Sequence, residues 1–346
     1  GDILRVNTTL VTVPVSVLDR DGKYVPNLRK ENFRIYEEGA EQEVAYFASV
    51  EKPFTVALVI DTSGSTLNKL EEIHEAAIAF VNQLRPDDTV MVVSFNDRVR
   101  LLCEPTTDRY TIQSAIRRAE PGDGTKLYDA VDFVINERFN RIKGRKAIVL
   151  FTDGVDTTSR RASYESTTRD AEELDALIYP ILFDTYQDTV GRLGGGGMGR
   201  RRGGVSVADI LGGILSGGNV VIGSGGGGGG GANCRGCTRE EYERGEAYLR
   251  ELAQRTGTRV EEAGDGRNLS QAFSIIAEEL RRQYSIGYYP KSQAQAGQRR
   301  QIRVRVNQPN MVVRARDSYI ISDQQSSDPN QQQPQLRNRQ TAATQP

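Results

Sequence analysis

The sequence predicts an α/β fold, a doubly wound and mostly parallel sheet with helices on both faces, inserted into a small all-β sandwich. Three observations carry this reading. From Phe54 to about residue 283, short continuous apolar runs alternate with helical patterns, as expected of parallel strands buried on both faces. Before and after that region the pattern changes to the period-2 alternation of half-buried strands. Between them, the apolar run FTVALVI (54–60) stops abruptly at Asp61 and is followed by TSGST and a helical pattern. Small polar residues then lie at the carboxyl end of a buried strand, where open α/β sheets hold their ligands.

Taken in order, TLVTVPVSVL (9–18) alternates as a strand, with Pro14 favouring an edge or a bulge. DRDG (19–22) signals a turn, and FRIYEEG (33–39) and QEVAYFAS (42–49) read as two further strands. This opening stretch is too short to close a sandwich alone; its pattern suggests half of an immunoglobulin-like one. Leu67, Leu70, Ile73, Ala77, Phe80, Val81 and Leu84 mark one apolar helix face, and Pro86 ends that helix. TVMVVSF (89–95) and RVRLLC (98–103) follow as strands. Asp108 is the N-cap of a helix through Arg118. PGDGT (121–125) is a loop before a helix to about Phe139. RKAIVLF (145–151) is the next buried strand and opens into the polar loop TDGVDTTS. A helix over 163–175 precedes the strand LIYPILF (177–183).

Glycine dominates 191–231, which predicts a flexible inserted loop, because ordering such backbone costs entropy with little burial to offset it. VSVADILGGILSGGNVVIG (205–223) inside it carries enough Val, Ile and Leu to pack or to bind something. Helical pattern resumes at Thr238 and ends at Gly257; TRVEEA (258–263) is a short strand, and 269–282 is a second amphipathic helix. YSIGYYP (284–290), IRVRVNQ and MVVRARDSYII alternate again as strands. The polar tail after Ser322 predicts disorder. The resulting division is 1–51 and 284–322 as the two halves of one sandwich, 52–283 as the α/β domain with an insertion at 190–237, and 323–346 as tail.

Composition removes several function classes. The 45 Lys and Arg against 46 Asp and Glu exclude a general nucleic-acid or membrane-surface binder, which needs a basic excess. A single histidine, His74, lies mid-helix on the solvent side, so neither a Ser-His-Asp triad nor a His-based zinc site can be assembled around it. Three cysteines make no disulfide framework: Cys103 reads as a packed thiol, and Cys234 and Cys237 as a local pair or half of a zinc site whose other half is missing. No apolar run is long enough to span a membrane. A chain that begins at Gly-Asp and runs straight into strand suits a mature form with its leader removed, and equally a cytosolic chain.

Small oxygen donors recur at three strand ends: Asp61, Ser63 and Ser65; Thr125; and Asp153. Carboxylates and hydroxyls are ligands for a hard divalent ion. DTSGS (61–65), Thr125 in GDGTKLYDA and Asp153 in FTDG together resemble the metal-ion-dependent adhesion site of the von Willebrand factor type A domain, the fold also seen in integrin inserted domains. All five positions match, and LAQRTGTRV (252–260) resembles the family's last helix-to-strand turn. The flanks, LVTVPVSVLDRDGKYVPNL and QYSIGYYP, are similar to secreted bacterial proteins of the von Willebrand factor A-related kind, common in acidobacteria; the glycine-rich insertion departs from them.

The resemblance implies a non-catalytic adhesion or assembly module. Mg²⁺, or Mn²⁺ or Ca²⁺, is held directly by Ser63, Ser65 and one of Thr125 or Asp153, with Asp61 acting through water. A partner protein supplies an Asp or Glu carboxylate to the open position. It implies a secreted, periplasmic or cell-surface location, no nucleic-acid ligand, and homo- or hetero-assembly as an option. Two other readings stand beside it. One is a scaffold subunit using the glycine-rich insertion and the sandwich. The other is a Mg²⁺-dependent phosphatase-like hydrolase with Asp61 as nucleophile, against which Ser63 stands where such enzymes want a second acid.

Overall fold

Side chains alternate across a pleated strand, and this decides the layering of the central sheet. In Phe54–Asp61, Val56, Leu58 and Ile60 point to one face while Ala57 and Val59 point to the other, and all five are fully buried. The structure, a computed structural model, describes residues 10–48, 53–66, 69–174, 176–183, 185, 236, 238–263, 266–292, 295 and 297–321. Most of the glycine-rich insertion, Cys234 and Cys237, and the tail lie outside the described residues.

Strands β1 (Val11–Leu18), β2 (Phe33–Glu37), β3 (Ala40–Gln42) and β4 (Tyr46–Ala48) precede β5 (Phe54–Asp61). Then come α1 (Leu70–Gln83), β6 (Thr89–Phe95), β7 (Val99–Thr106), α2 (Arg109–Arg117), α3 (Leu127–Asp132), β8 (Arg145–Thr152), α4 (Tyr164–Glu173) and β9 (Leu177–Leu182). After the insertion follow α5 (Arg239–Thr256), β10 (Glu261–Glu262), α6 (Gly266–Arg282), β11 (Tyr284–Tyr288), β12 (Arg299–Val306), β13 (Val312–Arg314) and β14 (Ser318–Ile320).

The fold is mixed α/β, with a parallel sheet flanked by helices and two further antiparallel sheets. The central sheet has the order β10-β9-β8-β5-β6-β7 and is parallel except for β7, which folds back antiparallel on β6 at the edge. Helices α1, α2 and α6 cover one face, where Phe80 of α1 meets Phe273 of α6 at 5.3 Å between ring centroids. The other face is covered by α3, α4 and α5. Each apolar stripe buries against one side of the sheet, which is the main stabilising term for such helices. The strand expected over 258–263 shrinks to Glu261–Glu262, and the last helix starts earlier than its apolar pattern, at Gly266.

The strands before and after the α/β region pair with each other. β1 pairs antiparallel with β11, Val13 opposite Ile286, and with β13, Val17 opposite Val313. β2 pairs with β12, Ile35 opposite Val304. The resulting sheets, β13-β1-β11-β4 and β14-β12-β2-β3, face each other across one core of Val13, Val15, Phe33, Ile35, Ile286 and Tyr288. Pro14 lies on the part of β1 where only β11 is paired, since the β13 ladder begins at Ser16, so its missing N–H leaves no gap in a ladder.

Polar side chains tie the α/β layers to these sheets. Glu279 of α6, 2% exposed, accepts hydrogen bonds from Ser16 Oγ and Tyr24 OH, both at 2.8 Å. Glu172 of α4 is fully buried and takes Arg255 of α5, Arg299 of β12 at 2.5 Å and Ser318 Oγ at 2.7 Å. Buried carboxylates are tolerated only when paired and hydrogen-bonded, as both are.

Candidate functional site

Register sets the site. Ile60 on β5 lies opposite Phe151 on β8, and Asp61 opposite Phe95 on β6, so Asp61 and Asp153 emerge side by side at one edge of the sheet. The chain runs from β5 to β6 on one side and reaches β8 on the other. The β5/β8 boundary is therefore the topological switch point, where the crevice of an open α/β sheet lies.

The loop after β5 is tight. Asp61 Oδ1 accepts the Ser63 N–H at 2.9 Å, and the Thr66 hydroxyl closes the turn onto the Asp61 and Ser63 carbonyls. This Asx-type turn presents the following hydroxyls. Ser63 Oγ lies 3.1 Å from Ser65 Oγ, and Ser65 Oγ donates to Asp153 Oδ2 at 2.7 Å. Asp61, Ser63, Ser65 and Asp153 thus form one connected group. Thr125 stands at its rim without a hydrogen bond to those four side chains. Its carbonyl accepts the N–H groups of Thr157 and Thr158, and its own N–H donates to Thr157 Oγ1 at 2.8 Å. The 121–125 loop is also stitched to the first loop, Gly122 N–H to the Thr62 carbonyl at 3.0 Å.

Three side chains that motif reading passes over hold the carboxylates. Thr152 Oγ1 donates to Asp61 Oδ2 at 2.7 Å. Thr185 Oγ1, just beyond β9, donates to Asp153 Oδ2 at 2.7 Å and lies 3.0 Å from the Tyr242 hydroxyl on α5. Thr185 has one proton and gives it to the carboxylate, so Tyr242 must donate to Thr185. The only local signal for these residues is position: Thr152 immediately precedes Asp153, and Thr185 follows a buried strand. Backbone packing adds a fourth constraint. Gly154, at φ 84°, abuts Gly245 of α5 so closely that a Cβ on Gly245 would sit 2.6 Å from Gly154.

Asp129, in the helix that follows Thr125, is 6% exposed. It accepts the backbone N–H groups of Arg160, Arg161 and Ala162, and so clamps the loop after Asp153. His74, read from sequence as a surface residue, is half-buried, and burial lowers its pKa.

The donor set fits a hard divalent cation. Asp61 is fully buried and Asp153 is 2% exposed. Burial first, and the neighbouring Asp153 second, push the Asp61 carboxyl up to about 7. A divalent ion between the loops would relieve that repulsion, and the serine and threonine hydroxyls are oxygen donors of the type Mg²⁺ and Mn²⁺ take. No cluster of three or more His, Cys, Asp or Glu side chains suited to a metal is present among the described residues, so a site here depends on hydroxyls.

The family model described as the von Willebrand factor type A domain matches residues 56–155. A curated relative, "Uncharacterized protein sll0103" from Synechocystis sp., is 31% identical over 106 residues, 30% of this chain and 25% of that protein. The chain therefore spans about a quarter of the length of the curated relative it matches. Similar solved structures include a von Willebrand factor type A protein from Catenulispora acidiphila, with TM-score 0.45 and 11% identity over 93% of this chain and 76% of that one. Proximal thread matrix protein 1 from the mussel byssus, with a zinc-occupied MIDAS motif, has TM-score 0.45 and 15% identity over 70% of this chain and 49% of that one. The vWF domain of the type V pili tip protein Mfa5 from Porphyromonas gingivalis has TM-score 0.29 and 24% identity over 32% of this chain and 40% of that one.

Proposed function

We propose that the chain is a non-catalytic, metal-dependent protein-binding module of the von Willebrand factor type A kind, the domain whose family model matches residues 56–155. The observation that carries the reading is the hydrogen-bonded group of Asp61, Ser63, Ser65 and Asp153 at the switch point of the sheet, with two buried carboxylates that lean on each other. In this reading Asp61, Ser63, Ser65, Thr125 and Asp153 hold Mg²⁺ or Mn²⁺. When bound, the ion supplies an electrophilic centre that a partner's Asp or Glu carboxylate can complete.

The chain's own residues orient the donors. Thr152 keeps Asp61 aimed at the loop, and Thr185 and Ser65 hold the Asp153 carboxylate from two sides. No histidine lies at the site to act as general base, which favours docking over hydrolysis. We further propose that 1–51 and 284–322 form one sandwich carrying 52–283 as an inserted domain. The same proposal places the module among bacterial secreted, periplasmic or cell-surface proteins. Among the described residues no helix is long and apolar enough to cross a membrane.

The test is metal-dependent capture. Mn²⁺ at about 100 times its dissociation constant should raise the melting temperature by roughly 5–10 °C. Partner capture from an envelope fraction should be lost in EDTA. Asp61→Ala and Thr125→Ala should abolish both effects; capture that persists in EDTA overturns the reading.

A further inference from the structure

Away from the metal-type site, a groove of about 1190 Å³ runs between α5 and the outer face of the β12–β2 sheet. It is larger than the usual range of small-molecule sites, which suits a segment of polymer. Its floor is β12, whose residues alternate strictly: Arg300 and Ile302 turn inward and are buried, while Arg299, Gln301, Arg303 and Arg305 turn outward and are exposed. Arg299 is occupied by Glu172. Arg303 and Arg305 make no ion pair among the described residues; Arg305 rests over the Tyr36 ring at 5.6 Å. Two unneutralised guanidinium groups therefore stand on the floor of a groove in a chain whose overall charge is nearly balanced.

We propose that this groove binds an extended acidic peptide segment with carboxylates at alternate positions. Successive outward side chains of β12 are about 6.8 Å apart, and an extended peptide places its i and i+2 side chains at the same interval, so each carboxylate meets a guanidinium fork. The rest of the lining argues for a polypeptide over a nucleic acid. Gln254 and Gln301 offer both donors and acceptors to a peptide backbone, and Glu251 and Asp317 among the arginines suit carboxylates spaced by neutral residues rather than the unbroken charge of a phosphate chain. This inference does not rest on the metal-site reading, since no residue of that site lines the groove.

The experiment uses a fluorescent ten-residue Thr-Glu repeat, a block peptide of the same composition (five Thr then five Glu), duplex DNA and a sulfated polysaccharide, with anisotropy read near physiological salt. The alternating peptide should bind more tightly than the other three, with no effect of EDTA. The double variant Arg303→Glu, Arg305→Glu should weaken it about tenfold or more, and Arg303→Lys by less. Both arginines are exposed, and an unchanged melting temperature confirms that the variants fold. Equal affinity for the two peptides, tighter binding of DNA or polysaccharide, an EDTA-sensitive signal, no binding at all, or indifference to the double variant would each overturn the proposal.

Discussion

At the scale of single residues, Asp61 carries the most consequence. Its carboxyl is raised from 3.8 to about 7 by burial and by Asp153. A raised acid favours the folded state at low pH, and that contribution is lost as pH rises through the folded value. Metal-free protein should therefore lose stability between about pH 4 and 7 from this group, while a divalent ion should restore more the higher the pH. Thermal melting with and without Mn²⁺ across pH 5–8 checks this, and Asp61→Asn should flatten the metal-free trend. His74 works in the opposite sense: its pKa is lowered from 6.5, so its contribution is lost as pH falls below that value. Comparing wild type with Asp61→Asn separates the two. At this scale the motif positions were legible because strand-end oxygen donors interrupt apolar runs. Thr185 and Tyr242 were not, since nothing local marks a hydroxyl that reaches a carboxylate 32 positions back in the chain.

At the scale of elements, α5 is more than a cover for the sheet. Its N-cap Thr238 forms a capping box with Glu241, Tyr242 holds Thr185, and Gly245 lies against Gly154 beside Asp153. Gly245→Ala would place a Cβ 2.6 Å from the Gly154 backbone, forcing the helix away from the loop. The expected cost is about 1–3 kcal/mol, the range for overpacking a close contact. Denaturant titration measures that cost, and a weakened metal response in the same variant would show that the displaced loop is the one carrying Asp153. The helix itself was readable from Tyr248, Leu249, Leu252 and the terminal Gly257. Its backbone contact with Gly154 was not, because an isolated glycine inside a helix signals only a propensity cost until its neighbour is known.

At the scale of the whole molecule, two buried glutamates join layers that are far apart in sequence. Glu172 is held by Arg255 and Arg299, and Glu279 by Ser16 and Tyr24. Glu172→Ala would leave two arginines without their shared partner. Because Arg255 keeps Glu251 and Arg299 keeps 54% of its side-chain exposure, the loss falls below the range for stranding a buried charge, about 1–2 kcal/mol. Wild-type protein should unfold in one transition by circular dichroism, and the Glu172→Ala, Glu279→Ala double variant should show an earlier, separate transition for the antiparallel sheets. A single transition in the double variant would mean that apolar contacts alone couple the layers.

Local pattern by itself determined the alternation of strand and helix, the direction of each apolar face, and the order of Asp61, Ser63, Ser65, Thr125 and Asp153 along the chain. Those features follow from periods of 2 and 3.6 residues and from where polar residues interrupt them. Tertiary structure decided which strands became neighbours: β1 beside β11, β2 beside β12, and β7 turned back on β6. It also decided that Arg303 and Arg305 face an open groove while Arg300 is buried beside Glu37. The reason is physical: period 2 tells which side chains share a face, but only the pairing partner and its register tell whether that face meets a core, a buried acid or water.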